Sequence, residues 1–143
     1  MKLEELQREA KQDLNIEDQE SLDQESYKNQ NIKAKWLEYR TKYDQLLIIA
    51  KADHQRLYRQ KWEYYGGKAD AKVYAAKPFD LKVLKTDLQI YINSDEDILN
   101  IQGKISYYES IIKYIDGVTK SIDNRGWDIR NAIDWKKFEA GMV

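Results

Sequence analysis

Cysteine is missing from the chain, which excludes a disulfide framework, thiolate metal ligation and a cysteine nucleophile. The single histidine, His54, rules out multi-histidine metal sites and leaves no catalytic triad. Its polar neighbours predict a solvated surface residue. One proline and six glycines in 143 residues offer few places to interrupt regular structure. No apolar run approaches the roughly 20 residues of a membrane span. The polar, acidic start, MKLEELQREAKQDL, lacks the pattern of a secretory signal. Gly66-Gly67-Lys68 has neither P-loop spacing nor the following Ser or Thr, and no G-x-G-x-x-G occurs. The acids Asp95, Glu96 and Asp97 are accounted for by helix-end electrostatics without a metal. These absences point to a soluble, intracellular, mostly helical protein with no cofactor, and make an enzyme the least supported class.

What the chain does have is charge: 34% of residues are charged, with a net of −1. A near-neutral total argues against a polyanionic partner only if the charge is evenly spread, and it is not. Residues 1–26 sum to −6, residues 27–85 to +8 and residues 86–143 to −3. The basic middle is large enough to attract a polyanion whatever the total. A solvated lysine-rich helix face is the plainer reading of the same charge.

The pattern of apolar residues divides the chain at the same places. Leu3, Leu6, Ala10 and Leu14 share one face of a short helix, and the acidic stretch 15–25 reads as a linker. Between 27 and 65 there is neither Gly nor Pro, and Ile32, Trp36, Tyr39, Tyr43, Leu46 and Ala50, continued by Leu57 and Tyr64, mark a long helix with a heptad-like seam. Gly66-Gly67 ends it. Residues 66–80 read as a loop, with extended backbone near Lys72–Tyr74. Leu81, Leu84, Leu88 and Tyr91 predict a further helix over 81–92, although the alternation of Leu88, Ile90 and Ile92 leaves a strand open. Ser94 is the expected N-cap of the next helix. That helix carries one seam of Ile98, Ile101, Ile105, Tyr108, Ile112, Ile115 and Ile122, and a second of Tyr107, Ile111, Tyr114 and Val118. Gly103 and Gly117 are candidates for a bend or a close approach, and Arg125-Gly126 for a break before a last helix from Trp127 to Phe138.

The expected fold is therefore all-α: long helices in a bundle with one basic loop. The organisation is an acidic N-terminal helix and linker (1–26), a long helix with a basic, aromatic loop (27–85), and C-terminal helices for core packing and oligomerisation (86–143). Two adjacent seams give the 97–123 helix a wide apolar surface. Either the chain covers it alone, or neighbouring subunits supply the missing cover through Ile98, Ile101, Ile105, Tyr108, Ile112, Ile115 and Ile122.

Between 56 and 79, six cations and only two acids are interleaved with Tyr58, Trp62, Tyr64, Tyr65, Tyr74 and Phe79. Single-stranded nucleic acid requires both kinds of group: cations to neutralise phosphates, and aromatic faces to stack on unpaired bases. The candidate DNA contacts are Arg56, Arg59, Lys61, Tyr64, Tyr65, Lys68, Lys72 and Lys77. The competing reading makes the aromatics bundle core and lets the cations snorkel around them.

The stretch Tyr58-Arg59-Gln60-Lys61-Trp62-Glu63-Tyr64-Tyr65 resembles the basic motif of the bacteriophage UvsY recombination mediators, Leu-Lys-x-Arg-Leu-Asp-Tyr-Tyr followed by small and glycine residues. The start Met1-Lys2-Leu3-Glu4-Glu5-Leu6-Gln7, Lys35-Trp36-Leu37, Lys85-Thr86, Asp95 to Leu99, Arg125-Gly126-Trp127 and the end Phe138-Glu139-Ala140-Gly141 are similar in the same order. Arg59 stands at the family's Lys and Lys61 at its Arg, so charge is kept while any bidentate geometry moves. Trp62 replaces an aliphatic residue. The resemblance implies a mediator without ATPase activity that binds single-stranded DNA regardless of sequence. It would remodel the phage single-stranded-DNA-binding protein complex and load a RecA-like recombinase of the UvsX type in recombination, replication and repair. It also implies a hexamer- or heptamer-type ring, a place in the cytoplasm of the infected bacterial host, and DNA binding through the motif that holds Arg59 and Lys61. A helical scaffold that joins protein partners without touching DNA is the alternative.

Overall fold

A computed structural model describes residues 2–17 and 20–141 of the chain. Five helices follow one another: α1 (Leu3–Leu14), α2 (Leu22–Tyr65), α3 (Ala71–Ala76), α4 (Leu88–Asn93) and α5 (Glu96–Glu139). Among the described residues every regular element is a helix, and none is long and apolar enough to cross a membrane. The chain forms two compact units, one of residues 1–44 with 110–143 and one of residues 45–109.

In the first unit, α1 buries Leu6 and Ala10, as its spacing predicts. Its polar face is also engaged. Lys35 lies 2.9 Å from Glu9 and 2.6 Å from Asp13, the Trp36 indole donates to Asp13 at 2.9 Å, and the Tyr39 hydroxyl donates to Glu9 at 2.9 Å. From α2 this unit buries Trp36 and Tyr43, one heptad apart. Facing residues of α5 include Ile111, Ile115, Val118, Ile122, Arg125 and Ile129, all buried, in 4-3-4-3-4 spacing. The stripe that packs thus draws on both sequence seams. Ile112, Ile115 and Ile122 are covered by the chain itself, and in the second unit so is Ile98. These four are therefore not available to a neighbouring subunit. Ile101, Ile105 and Tyr108 are only partly covered.

Arg125 is not a helix breaker but the centre of the first unit's polar core. It is 3% exposed and pairs with Glu25, which is 1% exposed. Its Nη1 donates to the Glu25 carbonyl and to Asn29 Oδ1, each at 2.9 Å, and its Nη2 to the Asn15 carbonyl at 3.4 Å. Asn29 Nδ2 in turn donates to the Ile122 carbonyl at 2.9 Å. Gly126 is explained by this packing: a Cβ there would stand 3.1 Å from Asn29 Nδ2. The helix runs on through both residues to Glu139, so the expected break is absent. Among the described residues nothing comes within 4 Å of a Cβ built at Gly103 or Gly117, so neither marks a close approach within the chain.

Other boundaries move as well. The long helix begins at Leu22, where Leu22 and Glu25 are already buried, and not at 27. Residues 18 and 19 of the expected linker lie outside the described residues. The 66–80 loop contains α3 across the stretch expected to be extended. Over 81–92 only Leu88–Asn93 is helical, and Leu81 and Leu84 face solvent. Val83 points inward instead, against a second-unit core of Leu88, Ile92 and Ile98 that Leu57, Tyr58 and Tyr65 also touch. Ser94 closes α4, its Oγ donating to the Ile90 carbonyl at 2.7 Å. Asp95 caps α5 in its place, Oδ1 accepting from the Asp97 amide at 2.9 Å. His54 is not a free surface residue: its Nε2 is buried and its ring lies 6.1 Å from that of Tyr58.

Candidate nucleic-acid interface

The candidate contacts lie at the C-terminal end of α2 and in the segment that follows. Helix geometry decides their fates. Residues two apart on an α-helix point about 200° away from each other, so Arg59 and Lys61 cannot share a face. The Arg59 side chain is 82% exposed, with only Glu63, one turn on, at 3.2 Å. Arg56, three residues earlier on the same side, is held by Asp53 at 3.2 Å. Exposed pairs of this kind contribute little, and a phosphate can displace the carboxylate.

Lys61 turns inward. Its side chain is 13% exposed and lies 3.3 Å from Asp95 and 2.8 Å from Asp97. Burial alone would lower its pKa, but the two carboxylates outweigh burial and raise it. Asp95 also accepts from the Tyr65 hydroxyl at 2.6 Å. Burial pushes the Asp95 carboxyl up, yet the Tyr65 hydroxyl, the Asp97 amide and Lys61 together hold it below the ordinary 3.8. Burial and the Asp95 charge push the Tyr65 phenol up. Lys61, Tyr65 and Asp95 thus fix the end of α2 to the start of α5.

The tyrosines of the motif serve the fold. Tyr64 is 7% exposed and stacks on Tyr74 at 5.5 Å, while Tyr65 meets Phe79 edge-on at 4.9 Å. Tyr91 closes the cluster, 5.9 Å from Tyr65 and 6.0 Å from Phe79. The hydroxyls bind backbone: Tyr64 donates to the Lys77 carbonyl at 3.0 Å and Tyr74 to the Tyr64 carbonyl at 2.7 Å. This aromatic core holds the 66–80 segment against the helix end, matching the core reading of these rings and not the stacking one.

The glycine pair closes α2. The Gly67 amide donates to the Tyr64 carbonyl at 3.3 Å and the Lys68 amide to the Glu63 carbonyl at 2.8 Å, with Gly67 at φ 73°, the left-handed conformation glycine adopts without strain. The reversal sets Lys68 Nζ 4.4 Å above the centroid of the Trp62 ring.

Acids from the two ends neutralise the basic middle selectively. Lys28 pairs with Glu25, Lys33 with Asp123, Lys35 with Glu9 and Asp13, Arg40 with Asp116, Lys51 with Glu109, and Lys61 with Asp95 and Asp97. Arg56 and Arg59 have only local partners. Among the described residues no ion pair reaches Lys68, Lys72, Lys77, Lys82 or Lys85, and all five are exposed. Uncompensated positive charge is therefore concentrated from 56 to 85.

Residues 9–142 match the family described as UvsY, the recombination, repair and single-stranded-DNA-binding protein. The recombination protein uvsY of Enterobacteria phage T4 is 26% identical over 141 residues, covering 99% of both chains. One crystal structure of the T4 recombination mediator protein UvsY superposes with a TM-score of 0.85 at 26% identity, covering 98% of each chain. A second crystal form of it gives 0.84 at 24% identity, over 94% of this chain and 98% of that one. With a family match over nearly its whole length, the chain belongs to the UvsY family of recombination, repair and single-stranded-DNA-binding proteins.

Proposed function

We propose that the chain is a recombination mediator that binds single-stranded DNA without sequence preference through Arg56, Arg59, Lys68, Lys72 and Lys77. It acts by binding: it remodels the phage single-stranded-DNA-binding protein complex, loads a RecA-like phage recombinase and stabilises its filament in the infected cell. The observation that carries this reading is the selective charge cancellation: Lys28, Lys33, Lys35, Arg40, Lys51 and Lys61 are paired with acids of the two ends, whereas Arg56 and Arg59 have only local partners and no ion pair among the described residues reaches Lys68, Lys72, Lys77, Lys82 or Lys85. Phosphate contacts of this kind read no sequence. Lys61 contributes by holding the helix end, and Tyr64 and Tyr65 by holding the loop.

A hexamer- or heptamer-type ring would repeat this strip once per subunit, so weak sites would combine through effective concentration. Support for assembly lies at the end of α5, where Trp127, Trp135 and Phe138 are 60%, 61% and 64% exposed. Exposed aromatics in such number mark interaction surfaces. Partly covered Ile101, Ile105 and Tyr108 offer further apolar area.

Replacing Arg56 and Arg59 together with alanine is expected to weaken binding to every single-stranded sequence alike. It should also reduce the slope of log K against log salt by about 0.7 for each phosphate that is no longer neutralised. Helix content should stay unchanged, since both side chains are exposed. Fluorescence anisotropy at two salt concentrations measures both effects. Unchanged affinity would move the site to Lys68, Lys72 and Lys77. Absence of binding by the unaltered protein at low salt would favour a scaffold that joins proteins only.

A further inference from the structure

We infer that Trp62 is a stacking platform for an unpaired base, and that Lys68, resting on its ring, is the cation that takes the adjoining phosphate. This rests on the single-stranded-DNA reading above and adds to it a base contact that the strip of cations lacks.

Three observations converge on Trp62. First, it is the one aromatic residue of the 56–79 segment that stands open to solvent, at 40% exposure. Tyr64, Tyr65, Tyr74 and Phe79 are engaged with one another, and Tyr58 lies against the Leu88, Ile92 and Ile98 core. The group that rests on the Trp62 ring is the Lys68 ammonium, itself exposed. Second, Trp62 follows Arg59 by three residues, about 60° round the helix, so the indole neighbours the exposed Arg59 side chain, while Lys61 lies about 100° away and turns inward. A strand with a phosphate on Arg59 is brought alongside the indole. Third, the Gly66-Gly67 reversal returns the chain so that Lys68 covers the ring, with Lys72 and Lys77 beyond it, both exposed.

The chemistry suits an unpaired base of any identity. Every base has a π face, and stacking on an indole requires no hydrogen-bond readout. A base in a duplex already has both faces covered, so the same platform favours single strands. An exposed ammonium on an aromatic face is held more weakly than a stacked base. Lysine carries its charge on a flexible four-carbon stem. Lys68 can therefore leave the ring for a phosphate as the base arrives, exchanging one electrostatic contact for another.

The test compares an oligothymidine with an abasic oligomer of the same length and phosphate number, by anisotropy at fixed salt. The unaltered protein is expected to bind the abasic strand roughly tenfold more weakly. Trp62→Leu should fall by a similar factor on oligothymidine, show no change on the abasic strand and keep the salt slope. Trp62→Phe should recover much of the loss. Lys68→Ala should lower the slope by about 0.7. Equal affinity of the unaltered protein for both strands would overturn the platform while leaving phosphate binding standing, and needs no variant to fold. Failure of the unaltered protein to bind either strand would overturn both readings.

Discussion

Replacing Arg125 with alanine is expected to destabilise the fold by about 3–5 kcal/mol, the usual result of removing one partner from a buried ion pair. The guanidinium is enclosed with Glu25, and its departure leaves that carboxylate inside with only Lys28 at 3.3 Å, and the Glu25 carbonyl and Asn29 Oδ1 without their donor. The three segments that meet there, the start of the α1–α2 connection at Asn15, the first turns of α2 and α5 at Arg125, lose their shared anchor. Urea denaturation followed by circular dichroism measures the loss. A double variant, Glu25→Leu with Arg125→Met, should cost clearly less than the two single alanine changes combined, because no charge is then left buried alone. A loss below about 1 kcal/mol for Arg125→Ala would show that water reaches the site and screens Glu25.

Asp95→Ala is expected to cost about 2–4 kcal/mol. It removes the N-cap of α5, a change that by itself costs about 0.5–2 kcal/mol. It also strips the Tyr65 hydroxyl of its acceptor, and an unsatisfied buried polar group costs about 1–3 kcal/mol. These losses belong to one network and need not add. Asp95→Asn, which keeps a capping oxygen, should recover part of the loss. The same carboxylate gives a pH dependence. Its folded pKa lies below the ordinary 3.8, so its contribution is complete above about pH 4 and disappears as the pH falls through the lower folded value. Thermal melts between pH 6 and 3 should show a loss of stability beginning near pH 4 that is reduced in Asp95→Asn.

Much of this architecture was legible in the residues because periodicity reports packing directly. The heptad spacing of Trp36, Tyr43, Ala50 and Tyr64 marks the buried face of α2, and the stop at Gly66-Gly67 follows from the backbone freedom of glycine. What periodicity missed was contact between distant segments. Gly126 looks like a breaker until Asn29 is seen to occupy the space above it. Leu81 and Leu84 look like a helix face, yet the 81–84 backbone runs irregularly and packs a partly buried Val83 against the core. The candidate site divides in the same way. Arg56, Arg59, Lys68, Lys72 and Lys77 lie on the surface. Lys61, Tyr64 and Tyr65 were drawn inward by Asp95, Tyr74 and Phe79, and sequence spacing alone did not pair them with those residues. A warning was present: Arg59 and Lys61 stand two apart on a helix, a separation that turns one of them away from any shared ligand.

The matched ion pairs between the middle and the ends have a kinetic consequence. With a net charge of −1, the attraction of a polyanion rests on the uncompensated 56–85 cations and not on the molecule's total charge, and it acts within the screening length of about 8–10 Å. Steering is then local: the exposed cations orient a strand that has already come within that distance. Because these cations are exposed, added salt should slow capture as well as shorten residence.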